Sequence, residues 1–231
     1  MTETEPLLTA SQSWVEAWPG ACVGAMAMSG LANPESDPAL DELLDRTAAD
    51  LREKFAGATR ADLLAGPELA AYAAYYRRFD KTYHVLLQLE SVALKSKALR
   101  ARGALVAAMF RAELLTGLLT AGHDADLLSG GLRVDVVAAG EAYTGLGGRE
   151  IAAAAGDMCI RDGAGIVSSI VYGPDDRTRF RSQTRRAVFT TYAPAGIGPD
   201  AVRRHLATIA ESLRGIVPTA SVDGVTLVPA G

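Results

Sequence analysis

The chain has 231 residues, and 23 lysine and arginine side chains against 27 aspartate and glutamate side chains give it a formal charge of −4. This balance excludes a protein that is basic overall and binds polyanions through its net charge. With 49% hydrophobic and 22% charged residues, the composition is typical of a folded domain, and the length allows one large domain or two lobes that share an interface.

Four segments have the apolar spacing and the end signals of helices. Asp37 and Pro38 supply an N-cap and a first-turn proline for the first helix, and Gly66 with Pro67 opens the second. Gly122 is taken as the stop of the third, apolar helix. In chain order the predicted helices are 38–56, 67–79, 101–121 and 199–214.

Seven short runs rich in Val, Ile, Tyr and Thr predict strands. They are 22–29, 83–94, 132–138, 158–161, 166–172, 187–192 and 225–228. Between residues 130 and 192 the strands follow one another with glycine turns, which favours an antiparallel sheet, and the helices lie outside this block. The predicted class is α+β. A possible hinge at 57–66 divides the chain into an N-terminal strand and helix, 1–66, packed on a main unit, 67–231.

Common catalytic and metal-binding signatures are absent from the sequence. It has no GxSxG elbow, Walker loop or HExxH motif, and its three histidines are dispersed. Cys22 and Cys159 are far apart in apolar sequence, which predicts reduced core residues. We therefore expect no metal and no cofactor. The polar N-terminus and the lack of an apolar run of roughly 18 residues favour a cytoplasmic protein without a membrane segment.

Two titratable residues adjoin glycines at the ends of apolar elements. His123 follows Gly122 and is flanked by acidic residues, so it is either a cap on the preceding helix or a side chain that points into a cleft. Glu141 follows Gly140 and, taken alone, is a hairpin charge. The glycines at 145, 147 and 148 indicate a hairpin turn and not a dinucleotide-binding loop, because a predicted strand and not a helix follows them.

Five segments in collinear order carry a resemblance to a known family. They are KTYHVLLQLESV at 81–92, LTAGHD at 119–124, GEAY at 140–143, GDM at 156–158, and IVSSIVYGPD at 166–175 followed by RTR at 177–179. Within residues 72–218 the chain resembles the stand-alone B3/B4 proteins, which are similar to the editing domain of the phenylalanyl-tRNA synthetase beta subunit. The resemblance implies a B3/B4 editing-domain fold with a cleft that hydrolyses the ester of a wrongly attached amino acid.

The resemblance also implies roles for particular residues. His123 matches a histidine that lines the family's site, and Glu141 matches a glutamate that reads the side chain of the wrong amino acid. The candidate substrate-binding residues around them are Gly103, Gly140, Gly147, Gly148 and Thr178. Backbone amides of a glycine-rich loop could stabilise an oxyanion, so the missing catalytic triad does not exclude a deacylase.

Gly103 departs from the family pattern, because it stands where an asparagine that holds the ligand is expected. Its lack of a side chain removes a hydrogen bond worth on the order of 1 kcal/mol when buried, which implies an altered substrate or altered catalysis. If residue 103 lies just inside a helix start, Gly103→Asn should change stability little. The same substitution should move the preference toward an aromatic ester.

An arginine cluster follows the last segment of the resemblance. Its members Arg177, Arg179, Arg185 and Arg186 are candidate contacts for the acceptor end of a tRNA, or else a solvated hairpin rim balanced by nearby aspartates. Three hypotheses stay open: a free-standing aminoacyl-tRNA deacylase, an enzyme that takes a small amino-acid-derived metabolite in the same pocket, and a non-catalytic binding module. The sequence leaves the amino acid, the tRNA and the oligomeric state undetermined.

Overall fold

The computed structural model describes residues 6–231, which form eleven strands and seven α-helices. The strands are β1 Leu8–Ala10, β2 Cys22–Ser29, β3 Leu119–Asp124, β4 Leu132–Val136, β5 Ala142–Gly145, β6 Arg149–Ala152, β7 Met158–Asp162, β8 Gly165–Ser169, β9 Gly173–Pro174, β10 Ala187–Ala193 and β11 Ser221–Pro229. The helices are α1 Gln12–Ala17, α2 Pro38–Lys54, α3 Arg60–Leu64, α4 Pro67–Arg77, α5 His84–Leu89, α6 Ala104–Thr116 and α7 Pro199–Ile216. The predicted α+β class is confirmed.

The strands form two larger sheets and one hairpin. The first sheet has the order β1-β4-β7-β8-β9, the second has the order β11-β2-β10-β3, and β5 pairs with β6 alone. Only the pairing of β1 with β4 is parallel; the other strand pairs are antiparallel. The N-terminal third supplies a strand to each larger sheet, and β2 lies between β10 and β11. The division at residue 66 stays a prediction.

Two helices begin where their sequence signals place them. The Asp37 carboxylate accepts a hydrogen bond from the Ala39 N–H at 2.8 Å at the start of α2, which satisfies a backbone donor that the helix itself leaves free. Helix α7 begins at Pro199 and buries one side, which includes Val202, Leu206 and Ile209, against β2 and β10. Helix α7 thus packs on one face of the second sheet.

One predicted strand is helical. The segment 83–94 forms α5 and a following π-helical turn, Glu90–Leu94. Its buried residues are Tyr83, Val85, Leu86, Leu89, Val92 and Ala93. Their spacing of three and four residues matches one helix face and not the alternation of a strand. The β-branched and aromatic residues of this segment, which are typical of a strand, therefore contribute to the core at the start of a helix and along it.

The predicted third helix is shorter than expected. Helix α6 ends at Thr116, where Gly117 adopts the left-handed conformation with φ +76° and donates its N–H to the Glu113 carbonyl. After this cap the chain forms the buried strand β3, so Gly122 and His123 lie within a strand and not at a helix end. Both Gly117 and Gly122 fit a helix stop, and the helix ends at Gly117, the earlier of the two.

A cluster of aromatic side chains joins α4 to the sheets. Tyr72 stacks on Tyr83 with ring centroids 4.4 Å apart, and Tyr75 packs against Trp18. Cys22 and Cys159 are buried and free, as predicted. None of the helices in the described range has the length and hydropathy that crossing a bilayer requires.

Candidate functional site

A cavity of about 300 Å³ lies between α6, the edge strand β3 and the segment 173–180. Its walls are mostly apolar. They include Val106, Met109 and Phe110 of α6, Leu119 of β3, and Phe180. Ligand sites are commonly concave and apolar with a few directed polar groups, and this cavity has the size for one amino-acid side chain.

The free edge of β3 supplies backbone polar groups to the cavity. In an antiparallel pair, alternate residues direct their N–H and C=O toward the partner strand and away from it. The N–H of Ala125 donates to the carbonyl of Arg186, the residue before β10, so it is directed toward that strand. The N–H of Asp124 is directed the other way and donates to the carbonyl of Thr178. By this alternation Gly122, which lines the cavity, directs its N–H and C=O away from β10, toward the free edge.

Gly122 cannot carry a side chain without rearrangement. A Cβ atom there would lie 2.4 Å from a ring carbon of Phe180 and 2.7 Å from the Met109 sulfur. Glycine thus lets α6 and Phe180 close on the strand edge while the peptide group stays accessible from the cavity. A close approach of this kind is one of the uses of glycine inside a strand.

Glu113 is a buried carboxyl group in the cavity wall. It is 2% exposed, and one of its oxygens accepts the Thr120 N–H at 2.9 Å. Its other oxygen has no hydrogen-bond partner among residues 6–231, and no cation pairs with it in that range. Burial raises the pKa of Glu113 to about 8, because a low-dielectric environment disfavours the charged form. At neutral pH the carboxyl group is mostly protonated.

The mouth of the cavity is bordered by one histidine, one arginine and the tip of a hairpin. His84, the first residue of α5, is exposed there, as is Arg179, which pairs with Asp176. Leu146, at the tip of the β5–β6 hairpin, is 51% exposed and also lines the cavity. The mouth therefore combines an apolar hairpin tip with the guanidinium group of Arg179 and an imidazole, His84, whose pKa is lowered by desolvation.

His123 lies beside this site and not in the cavity wall. It is fully buried on β3, and its Nδ1 is 2.8 Å from the Thr178 hydroxyl, which donates in turn to Asp175. Its Nε2 has no partner among the described residues. Desolvation lowers the pKa of His123 to about 4, so the ring is neutral at pH 7. Thr178 holds the imidazole, and its carbonyl accepts the N–H of Asp124 at the last residue of β3.

Glu141 is engaged in an ion pair on the other sheet. Its carboxylate accepts two hydrogen bonds from Arg161, at 2.9 and 2.6 Å, and one from the Ala138 N–H. These bonds, the Arg161 bond above all, lower the pKa of Glu141. Neither His123 nor Glu141 is among the residues that line the cavity. The roles that the resemblance implies for these two residues stay predictions.

The hairpin glycines have the turn role that the sequence indicates. Gly147 and Gly148 connect β5 to β6 with φ near +80°, and the Gly147 N–H donates to Asp176 at 3.0 Å. Gly140 also has a positive φ in the turn before β5. Only Leu146 of this turn contributes to the cavity wall. The turn thus places an apolar side chain, and not its glycines, against the ligand space.

Gly103 is the N-cap of α6, and the expected tolerance of asparagine there is wrong. Its φ of +85° is unfavourable for other residues, and a Cβ would lie 2.7 Å from the Asn33 side-chain oxygen. Asn33 accepts the Leu105 N–H at 3.1 Å and donates to Arg181 O at 3.0 Å. An asparagine side chain does hold the start of α6, and it comes from residue 33.

The four candidate tRNA-binding arginines are exposed, but three already have carboxylate partners. Arg177 pairs with Asp162 at 2.9 Å, Arg179 pairs with Asp176, and Arg186 pairs with Asp126 at 3.0 Å. Arg185 donates to the carbonyls of Ser182 and Thr184. The pairs of Arg179 and Arg186 are exposed enough to contribute little, so they can exchange for phosphates, whereas the Asp162 carboxylate that holds Arg177 is buried. Arg179 alone of the four lines the cavity.

Comparison with solved structures finds a similar fold in an N-terminal fragment of the phenylalanyl-tRNA synthetase beta-subunit from Pyrococcus horikoshii. The identity is 10% and the TM-score 0.50, with 99% of this chain and 56% of that chain covered. The chain therefore spans just over half of that fragment, and at this identity the likeness concerns the fold alone. No protein-family model matches the sequence, and a search of curated proteins finds no match.

Sequence reasoning missed Glu113 and the role of Gly122 as a strand edge. The signal for Glu113 was present, because it is the one acidic residue in the apolar segment that forms α6, and a lone carboxyl among apolar residues points to burial. Gly122 follows an apolar run that also fits a helix, so the local sequence predicts a helix stop there and not a position inside a strand. Among residues 6–231 no group of three or more His, Cys, Asp or Glu could hold a metal ion.

Proposed function

We propose that this protein is a free-standing aminoacyl-tRNA deacylase that hydrolyses the ester of a wrongly attached, aromatic or non-standard amino acid. The observation that carries the proposal is the apolar cavity of about 300 Å³ bordered by the free peptide edge of β3 at Gly122. The cavity would take the amino-acid side chain, and the strand edge would take the ester. The fold likeness to the synthetase fragment and the resemblance to the B3/B4 editing domain support this choice by analogy.

The reaction needs an attacking water and a donor for the developing oxyanion. Water adds to the ester carbonyl carbon, the bond from that carbon to the ribose oxygen breaks, and the proton lost by water ends on the ribose oxygen. The Gly122 N–H would donate to the carbonyl oxygen as its charge grows. One preorganised donor of this type contributes about 3 kcal/mol of transition-state stabilisation, and it requires no nucleophilic side chain.

The rest of the tRNA would lie outside the mouth of the cavity. Arg179 is at that mouth, and Arg185 has no carboxylate partner among the described residues. Each phosphate that such an arginine neutralises releases counterions, so binding should weaken steeply with salt. Backbone contacts of this kind fix the position of the tRNA and leave selection to the cavity.

A panel of charged and mischarged tRNAs incubated with the protein tests the activity. We expect hydrolysis of at least one aromatic or non-standard aminoacyl-tRNA, and hydrolysis of none would refute the proposal. Val106→Phe fills the cavity from α6 and should reduce the rate at least about 10-fold. The matched variant Val225→Phe adds the same volume on the exposed strand β11 and should leave the rate unchanged.

The arginine contribution is tested by charge reversal. Arg179→Glu together with Arg185→Glu should reduce activity on charged tRNA and reduce its salt dependence, while hydrolysis of a small aminoacyl ester stays unchanged. Arg204→Glu, on the exposed side of α7, is the control. Equal loss on both substrates would show damage to the fold. If the chain hydrolyses only small esters, the alternative of an enzyme for an amino-acid-derived metabolite replaces the tRNA substrate.

A further inference from the structure

We propose that Glu113 binds the free α-ammonium group of the ligand, so that the cavity accepts unblocked α-amino acid derivatives and rejects N-acylated ones. This inference rests on the proposed function, because it names the substrate class of the same cavity. It assigns a recognition role to a side chain that no part of the hydrolysis described above uses.

The first argument is the isolation of the Glu113 carboxyl group. It is the one acidic side chain among the residues that line the cavity. One of its oxygens accepts a single backbone N–H, and within residues 6–231 the other oxygen has no partner. A buried carboxyl without a cation is costly to ionise. A cation that arrives with the ligand removes most of that cost.

The second argument is the spacing along the edge of β3. The Glu113 carboxyl is held at Thr120 N, and the free peptide group of Gly122 lies two residues further along the same strand. Two residues of strand span about 7 Å. An aminoacyl group carries an ammonium and a carbonyl oxygen on adjacent carbon atoms, so it can donate to Glu113 at one end and accept from Gly122 at the other.

Binding of the ligand's ammonium group to Glu113 releases one proton. Before binding, Glu113 is a carboxylic acid and the ligand is an ammonium ion; after binding, a carboxylate faces the ammonium and one proton has gone to the solvent. The titratable groups close enough to interact electrostatically with Glu113 are Tyr72 and Tyr76 of α4 and Tyr83 before α5. His205 of α7 contacts the Thr120 hydroxyl. Burial raises the pKa of each tyrosine and lowers that of His205 to about 3, so all stay neutral. His84 and Arg179 are at the mouth.

Binding of ligands that cannot be hydrolysed tests the inference apart from catalysis. The probes are the amides of phenylalanine, tyrosine and leucine, each compared with its N-acetyl form by isothermal titration calorimetry near pH 6.5. We expect at least one free amide to bind at least about 10-fold more tightly than its acetylated form. In buffers of different ionisation enthalpy, its binding should release close to one proton.

Two variants separate recognition from folding. Glu113→Gln keeps an oxygen for the Thr120 N–H but cannot become a carboxylate, so it should remove both the preference for the free amine and the proton release. Glu211→Gln, on the exposed side of α7, should change neither. Equal or tighter binding of the acetylated amides would overturn the inference, and so would the absence of binding of every free amide.

Failure of this inference and failure of the proposed function give different results. If N-acetyl-aminoacyl-tRNA is hydrolysed as fast as the unblocked form, the deacylase proposal stands and the role of Glu113 is wrong. If the free amides bind with proton release and neither a charged tRNA nor a small aminoacyl ester is hydrolysed, Glu113 recognises the amine and the chain is a binding module.

Discussion

Glu113→Gln should stabilise the fold, and the gain should increase with pH. Burial places the pKa of Glu113 at about 8, against an ordinary value of 4.5. Between these two values the folded state binds more protons than the unfolded state, so this group lowers stability as pH rises. One pKa unit corresponds to about 1.4 kcal/mol. The cost is therefore below about 1 kcal/mol near pH 5 and on the order of 4 kcal/mol near pH 8.

The glutamine side chain stays neutral at every pH and keeps an acceptor for the Thr120 N–H, so it avoids this cost. Urea unfolding of both proteins near pH 5, 6.5 and 8 measures the difference in free energy of unfolding. His123 and His205, whose pKa values burial lowers, add acid sensitivity to both proteins and cancel in the difference. Glu211→Gln is the control. A stability difference that is constant over this range would refute the reasoning, because it would place the ionisation of Glu113 in its ordinary range.

Three further outcomes are expected. Gly103→Asn should lower the free energy of unfolding by on the order of 2 kcal/mol because φ is +85° at residue 103. The control Gly198→Asn, at the N-cap of α7 with φ −76°, should leave stability unchanged or raise it. Equal effects of the two substitutions in urea unfolding would contradict this. Glu141→Gln removes a partly exposed pair with Arg161 and should cost at most about 1 kcal/mol in urea unfolding; a large loss of deacylation at so small a cost would support the role that the resemblance implies for Glu141. Burial lowers the pKa of His123 in the folded state to about 4. The unfolded state therefore binds more protons than the folded state below about pH 6.5, and the folded state loses stability as the pH falls. In thermal unfolding, His123→Gln should reduce this loss of stability at acid pH.

Several elements could be predicted from the sequence because their signals are local. The N-caps and prolines that begin α2, α4 and α7 act within one turn of the chain, and each helix begins at its predicted residue. Strand β2 matches its predicted bounds, and the turn at Gly147 and Gly148 forms as expected. These features depend on neighbours only a few residues away, which is why composition and spacing are sufficient for them.

The candidate site, in contrast, depends on contacts between segments that are distant in the sequence. Segment 83–94 is apolar enough for a strand or a helix, and in the folded protein it packs into the core as a helix. The neutral state of Glu113 arises because the fold buries the carboxyl and leaves it one backbone donor, and the partners of Arg177 and Arg186 come from residues 15 and 60 positions away. The asparagine that holds α6 comes from residue 33, and its side-chain oxygen accepts the N–H of Leu105, 72 positions away in the sequence. Desolvation and long-range pairing depend on which distant segments meet, and no local pattern of residues specifies that.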